Sequence, residues 1–365
     1  PKMPLAKYPL PPFPKPSRPI ADAPKGQPWL FAEEGVASGL RDAAIPGTAD
    51  YDIKAYLLYG TNLLQSLPEP AKTVKALEAV DFSVAIDILP TEITGWADVV
   101  LPEASYLERT DDLHNPAWRE PYVALRQPIV QPPGDAKPGW WIARELGHRL
   151  GLQAWFPWKD VDEYLATRAK ENKIDLAALQ STGVLGGSPK PCFIEDGLEP
   201  TFDTPSKKIE LFSQRLADAG LGGLPAYEPP EEPPQGSFRL IYGRAPVHTF
   251  GRTTNNRVLG EIMDTNEVWL NARAAKELGL ENGQMVVLVN QDEVRSNPVR
   301  VKVTQRIRPD CVYLVHGFGH DSRFLRFARG KGVDDTKLMS RQRTDPATGA
   351  TGMRVNFVRV EKHTA

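Results

Sequence analysis

An α/β portion built on a parallel sheet, followed by a small β-barrel, is the architecture that this sequence predicts. Two observations carry it. Apolar runs and a helical period alternate as strand, helix, strand between residues 51 and 102, and five short β-rich runs with only one clear helix follow residue 237. Between them lies a stretch of proline, glycine and glutamate, AYEPPEEPPQGS (226–237), which reads as an interdomain linker.

Each element has its own signal. Residues 1–34 are rich in proline, so they have few backbone donors and a preset backbone angle, and they are expected to lie extended. A disordered linker or an SH3-type ligand is the alternative, but Leu10, Phe13, Trp29 and Phe31 argue that the segment docks on a surface. Over 35–152 the pattern is α/β: IKAYLLYG (53–60) reads as a strand buried on both faces, AKTVKALEAV (71–80) as a helix, FSVAIDIL (82–89) as the next buried strand and ADVVLP (97–102) as a shorter one. PGWWIARELGHRLGL (138–152) is an amphipathic helix with Pro138 near its start and Gly151 near its end. Residues 153–236 hold a second helix at about 160–171, then irregular chain with one extended piece around KKIELFS and the linker. Over 237–365, FRLIYG, QMVVLVN, PVRVKVT, CVYLVHG and RVNFVRVEK are strands, and NARAAKELGL (271–280) is a helix capped by Asn271.

Composition narrows the function. The chain has 365 residues, 41% hydrophobic and 25% charged, as in ordinary globular proteins. A net charge of −2 gives no polyanion-binding surface, so nucleic acid is not an expected partner. The 35 prolines are roughly twice the usual ~5% and fit long ordered loops. Cys192 and Cys311 stand 119 positions apart; they form no CxxC site and read as two buried thiols, with a disulfide as the alternative. No apolar run reaches the ~18 residues of a spanning helix. The opening Pro1-Lys2-Met3 does not read as a natural start, and an upstream portion is expected.

Polar residues cluster where such a fold would bind a ligand. On a parallel sheet, ligands sit beyond the carboxyl ends of the strands, where Gly60, Asn62 and Asp87 fall. Gly60 permits close backbone approach, and the Asn62 amide can read a base or phosphate edge or simply serve a turn. Asp87 can accept paired N–H groups such as those of guanine, or cap a helix; Thr91 can bind the same nucleotide or cap the next turn. The densest polar group is Gly243, Arg244, His248, Thr249, Arg252, Thr253, Asn255 and Asn256, whose donors and positive charge suit an anion such as a pyrophosphate, with a solvated loop as the alternative. His248 reads as a hydrogen-bonding group rather than a metal ligand, because no second histidine or carboxylate stands at metal spacing. His316 and His320 are spaced i, i+4, but the glycines between them argue against a helix and a metal site.

Six segments in order resemble the molybdenum-bis(pterin guanine dinucleotide) oxidoreductases, the dimethyl sulfoxide reductase family. They are LLYGTNLLQS (57–66), IDILPTEITGWADVVLPEASYLER (86–109), TPSKKIELFS (204–213), YGRAPVHTFGRTTNN (242–256), NEVWLNARAAKELGLENGQMVVL (266–288) and VTQRIRPDCVYLVHGFGH (303–320). The likeness spans about residues 35–362, the C-terminal half of such subunits, and the GRAPVHTFGRTTNN wording is most like polysulfide and thiosulfate reductases.

The resemblance implies a double-psi β-barrel after residue 237 and a dinucleotide-binding-like region before it. It implies a molybdenum-bis(molybdopterin guanine dinucleotide) cofactor, with the metal ligand and the cysteines of a 4Fe-4S cluster in an N-terminal half outside this chain. Arg109 and Asn115 are then placed near the nucleotide, His316 beside the cofactor, and Asp335 and Arg354 near the nucleotide ends; no catalytic residue is assigned. Gly139 replaces an aspartate common in relatives, and Lys207 a glycine. Implied partners are the chain's own N-terminal half, an iron–sulfur electron-transfer subunit, an integral membrane quinone-reactive subunit and a small inorganic sulfur substrate. The implied place is peripheral, on the periplasmic or extracytoplasmic side of a membrane.

Overall fold

The computed structural model describes residues 10–12, 29–31, 35–116, 118–189, 191 and 194–364; Phe13 and Cys192 lie outside them. In chain order come α1 (Ala37–Ala43), β1 (Ala55–Tyr59), α2 (Leu63–Ser66), α3 (Pro70–Ala79), β2 (Phe82–Asp87) and β3 (Val99–Pro102). Next are β4 (Tyr122–Ala124), α4 (Gly139–Arg149), α5 (Val161–Glu171), α6 (Leu176–Thr182), β5 (Val184–Gly186) and α7 (Gln214–Asp218). The last part holds β6 (Phe238–Gly243), α8 (Arg257–Gly260), β7 (Glu267–Asn271), α9 (Ala272–Glu277), β8 (Met285–Asn290) and β9 (Val299–Thr304). It ends with β10 (Cys311–Val315), β11 (Arg343–Thr344), β12 (Thr351–Gly352) and β13 (Phe357–Lys362).

The described residues fall into two compact units, one from Pro1–Ser17 and Leu101–Leu211, the other from Arg18–Val100 and Phe212–Ala365. By this division the boundary falls at Leu211/Phe212, and the stretch 226–237 lies within the second unit. Its extended chain is tied down there, Arg343 bonding Glu228 at 2.9 Å and Arg239 bonding the Glu231 carbonyl.

In the unit that holds Leu101–Leu211, β4 and β5 pair antiparallel, with Val123 opposite Leu185. Leu113, Val123, Leu125, Leu165 and Leu179 form its core. Capping sets the helix starts: Asp160 accepts from Glu163 N–H at 2.9 Å, and Asp175 from Ala178 N–H at 2.9 Å. Gly183, at φ +75°, ends α6. The expected extended piece around KKIELFS forms no strand. Lys207, where relatives carry glycine, has φ +56°, a left-handed backbone that glycine adopts without strain.

In the other unit, β1 and β2 pair in parallel, Leu57 opposite Val84, within a sheet ordered β1-β2-β3. Leu58, Leu77 and Ile93 pack on one another at its inner side. Burial on both faces is not what the structure shows. Leu57 is 60% exposed and Tyr59 55%, whereas Leu58 between them is buried, so one face of β1 is covered and the other is left open.

The barrel closes as β10-β6-β13-β8-β9-β7. Two pairs, β6–β10 and β7–β9, are parallel, and the other contacts are antiparallel. This is the double-psi barrel that the resemblance implied. Alternate residues point inward, so Val286 and Leu288, Val299 and Val301, Val312 and Leu314, and Val358 and Val360 fill the interior. The sixth strand, β7, was not among the five expected. Its Val268 and Leu270 are buried, and Asn271 at its end caps α9 by accepting from Arg273 N–H at 2.9 Å. Buried Cys311 is a free thiol, its pKa raised by burial and by the charge of Asp310.

Candidate functional site

Parallel pairing sets the carboxyl ends of β1 and β2 side by side, and the residues leaving them meet. Gly60, at φ +59°, donates its N–H to the Ile86 carbonyl at 2.8 Å, and Asp87 accepts from Leu89 N–H at 3.0 Å. The chain then turns through the 3₁₀ segment Glu92–Gly95, with Thr91 at its start. Asn62, just before α2, donates Nδ2–H to Glu92 Oε2 at 2.8 Å.

Glu92 is the centre of this cluster, and the sequence alone gave it no role. Its carboxylate also meets His320 Nδ1 at 3.0 and 3.1 Å and accepts from the backbone N–H groups of Asp321 and Ser322 at 2.8 and 3.0 Å. Burial alone would raise its pKa; the bond and charge of His320 and the Ser322 amide outweigh burial and hold it at about 2. An ionised carboxylate only accepts, so His320 Nδ1 carries the hydrogen. His320 is 1% exposed, and its Nε2 has no hydrogen-bond partner among the described residues. Asn62 Oδ1 and Thr91 Oγ1 are likewise buried and unpartnered. Three orphaned polar atoms thus sit on Glu92's two side-chain partners and on its chain neighbour, an arrangement that a polar ligand would satisfy.

The polar loop after β6 reaches the same place. A Cβ at Gly251 would lie 3.1 Å from both Gln65 Oε1 and His320 Nε2. Gly317, at φ +94°, lies so close that a Cβ there would fall 2.2 Å from Gly251 N, so the two loops touch backbone to backbone. Within the loop, Thr249 N–H donates to Thr253 Oγ1 at 2.8 Å; that hydroxyl meets His248 Nδ1 at 3.2 Å, and His248 Nε2–H donates to the Met263 carbonyl at 2.7 Å. Both His248 nitrogens are therefore engaged within the protein, and His248 shapes the loop. Asn255 Oδ1 accepts from the Phe327 and Ala328 amides at 2.9 and 3.3 Å, and Asn256 caps α8. Arg252 and Arg244 are exposed, Arg244 lying over the Phe250 ring at 4.5 Å.

His316 takes a different carboxylate from His320. Its N–H donates to the Gly243 carbonyl at 3.0 Å, and its Nδ1 lies 2.9 and 3.0 Å from fully buried Asp335. Burial disfavours the imidazolium, but the bond and charge of Asp335 outweigh it and raise the His316 pKa. Asp334, next to it, is pushed up to about 7 by burial and by the Asp335 charge. Arg354 is exposed and lies over Tyr242 at 5.7 Å. A cavity of about 990 Å³ adjoins Glu92 and Asp334. Of the cations lining it, Lys72 and Lys337 pair with Asp42 and Asp321 at 3.0 and 2.5 Å, and Arg295 pairs with Glu361 at 2.8 Å; Lys75 lines it as well.

Arg109 and Asn115 lie in the other unit. The Arg109 guanidinium bonds Glu103 at 2.5 Å and Asp111 at 2.8 Å, pairs that neutralise its charge. Asn115 is half-buried, next to His114, whose backbone pairs with Ala124.

Two family models match the chain. Molybdopterin oxidoreductase matches residues 32–149, and the molydopterin dinucleotide binding domain matches residues 238–356. The chain belongs to the molybdopterin oxidoreductases. It is 30% identical to the thiosulfate reductase molybdopterin-containing subunit PhsA of Salmonella typhimurium, over 94% of this chain and 48% of that one. It is 25% identical to dimethyl sulfoxide reductase DmsA of Escherichia coli, over 89% of this chain and 44% of that one. Acetylene hydratase from Pelobacter acetylenicus shares the fold, with a TM-score of 0.71 at 22% identity, over 89% of this chain and 46% of that one. The chain thus spans about half the length of these relatives. Its barrel is a molybdopterin dinucleotide-binding domain, and the unpartnered atoms of Asn62, Thr91 and His320 fit a cofactor rich in ring nitrogens, hydroxyls and amines.

Proposed function

We propose that this chain is the C-terminal portion of a molybdoenzyme catalytic subunit that grips bis(molybdopterin guanine dinucleotide) and reduces polysulfide or thiosulfate with quinol-derived electrons. The observation that carries the grip is the Glu92 cluster, whose buried acceptors and donors lack protein partners. Glu92 fixes the Asn62 amide and the His320 ring, and the Gly251–Gly317 contact fixes the loop beside them. Asp335 holds His316 at the barrel end, and the exposed Arg244 and Arg252 supply positive charge for a diphosphate. When bound, the cofactor supplies two-electron redox chemistry; these residues supply position and charge. The choice of a sulfur–sulfur substrate is supported by the 30% identity to the thiosulfate reductase subunit and by the GRAPVHTFGRTTNN wording.

In this reading a further N-terminal portion bears the metal ligand and a 4Fe-4S cluster. An iron–sulfur subunit and a membrane quinone-reactive subunit deliver electrons on the extracytoplasmic side. The bare apolar residues Leu57, Tyr59, Val99 and Val100 are the surface on which that N-terminal portion would pack.

The native enzyme tests both levels. Purified from its source, it should release about two guanosine monophosphates per metal on acid hydrolysis and form sulfide from thiosulfate or polysulfide. Brisk formate oxidation without sulfide formation would overturn the substrate, leaving the grip intact. A preparation with no metal and no released nucleotide would overturn the grip and favour a non-catalytic binding module.

A further inference from the structure

An aromatic groove far in sequence from the cofactor loops lies in the unit that holds Leu101–Leu211. It encloses about 510 Å³ and is lined by Trp140, Trp155, Trp158, Tyr164 and Arg168, with Leu10 at its wall. Trp158 and Tyr164 meet edge to face at 4.7 Å, and Arg144 Nε–H holds the Trp158 carbonyl at 3.0 Å, so the aromatic wall is fixed. Tyr164 is anchored from behind by its bond to Asp112 at 2.7 Å. At Gly147 a Cβ would fall 2.5 Å from the Phe156 ring, so only glycine lets α4 pack this closely on the groove.

Among the described residues, the buried polar atoms of this groove without a partner are both donors. Trp140 Nε1 and Arg168 Nε are buried and have no partner, whereas Trp155 Nε1–H donates to the Pro11 carbonyl at 3.1 Å. A ligand matching such a groove presents apolar rings and bare carbonyls and needs no acceptor for its own amides. That describes a polyproline strand, whose prolines lack N–H groups and whose carbonyls have no internal partner.

We propose that this groove is a polyproline-recognition site and that the chain's own Leu10-Pro11-Pro12 occupies it. Trp155 reads the Pro11 carbonyl, Leu10 forms part of the apolar wall, and Trp140 Nε1, without a partner among the described residues, is the donor left for a further carbonyl of the segment. The site clips the proline-rich segment to this unit. It stands independently of the cofactor assignment, since it shares no residue with the Glu92 cluster.

The test uses the full chain labelled with ¹⁵N at its indoles, with the Trp155 resonance assigned from Trp155→Phe. In the wild-type chain the Trp155 indole N–H should exchange slowly with solvent. In a variant carrying Leu10→Gly, Pro11→Gly and Pro12→Gly it should exchange about five-fold faster, the loss expected for a hydrogen bond of ~1 kcal/mol. The peptide PLPPFPKP added in trans should restore protection, and a chain with Trp140→Phe and Trp155→Phe added to the glycine changes should not bind that peptide. Equal exchange in the wild-type chain and the glycine variant would overturn the proposal. Equal binding of PLPPFPKP and a scrambled peptide to the glycine variant would do so too, and that titration decides the matter if the tryptophan changes prevent folding.

Discussion

The barrel and strands β1 and β2 lie in one compact unit and are built from similarly apolar residues, yet they bury those strands differently. Barrel strands close on themselves, so each inward residue meets another, and Leu240, Leu270, Leu288 and Leu314 are essentially inaccessible. The sheet stops at β1, where Leu57 and Tyr59 face solvent. An apolar run therefore shows that a strand wants cover; whether the same chain supplies that cover is decided by topology.

Substitutions can break this comparison. Leu288→Ala should cost about 2–5 kcal/mol, because it opens a cavity in a closed core. Leu57→Ala in the same chain should stay within about 0.5 kcal/mol. Urea unfolding measures both, and equal losses would show that the sheet is as well covered as the barrel.

Glu92→Gln sharpens the comparison at the junction of the two parts. The native carboxyl is held at about 2, below its ordinary 4.5, so its stabilising effect is present above pH 4.5 and is lost as pH falls towards 2. After discounting for partial exposure this is about 2 kcal/mol at neutral pH. The variant should be weaker at pH 7 but lose less on acidification from pH 4.5, as followed by circular dichroism.

Asp334→Asn should act in the opposite sense. Its native pKa of about 7 exceeds the ordinary 3.8, so the folded state binds the extra proton and stability falls as pH rises from about 4 to 7. Asparagine keeps an oxygen for Thr336 N–H and Oγ1, now bonded at 3.0 and 2.6 Å, and removes that slope. A gain of about 1–2 kcal/mol at pH 8 and little change at pH 5 is the expected denaturation result.

The smallest effect is at Lys207, where a left-handed backbone carries a side chain. Lys207→Gly should gain at most about 1 kcal/mol. A loss in thermal unfolding would show that chain entropy outweighs the backbone strain.

Local signals made much of this fold legible. Short β-rich runs marked five barrel strands, and the helices at Gly139–Arg149 and Val161–Glu171 lie where their periodicity and end signals placed them. The sixth strand escaped because EVWLN runs straight into Asn271, whose capping signal draws attention to the helix. Gly60, Asn62, Asp87 and Thr91 were readable as strand-end residues; in the structure Asn62 bonds Glu92, Thr91 precedes it, and Gly60 and Asp87 lie at the adjoining ends of β1 and β2. Glu92 itself was not readable, because its partners lie at positions 62 and 320–322 and only tertiary folding unites them. Its one sequence hint is its place directly after Thr91. His248 shows the reverse: its neighbours suggested a ligand contact, but both ring nitrogens serve the loop.

The backbone contact between Gly251 and Gly317 carries a consequence for how this molecule can vary. Any side chain at position 317 would act as a wedge driven between two main chains, and neither main chain can rotate aside as a side chain does. Position 317 should therefore tolerate almost nothing in a saturation library, although glycine offers no chemistry of its own. Intolerance there would report the spacing between two loops.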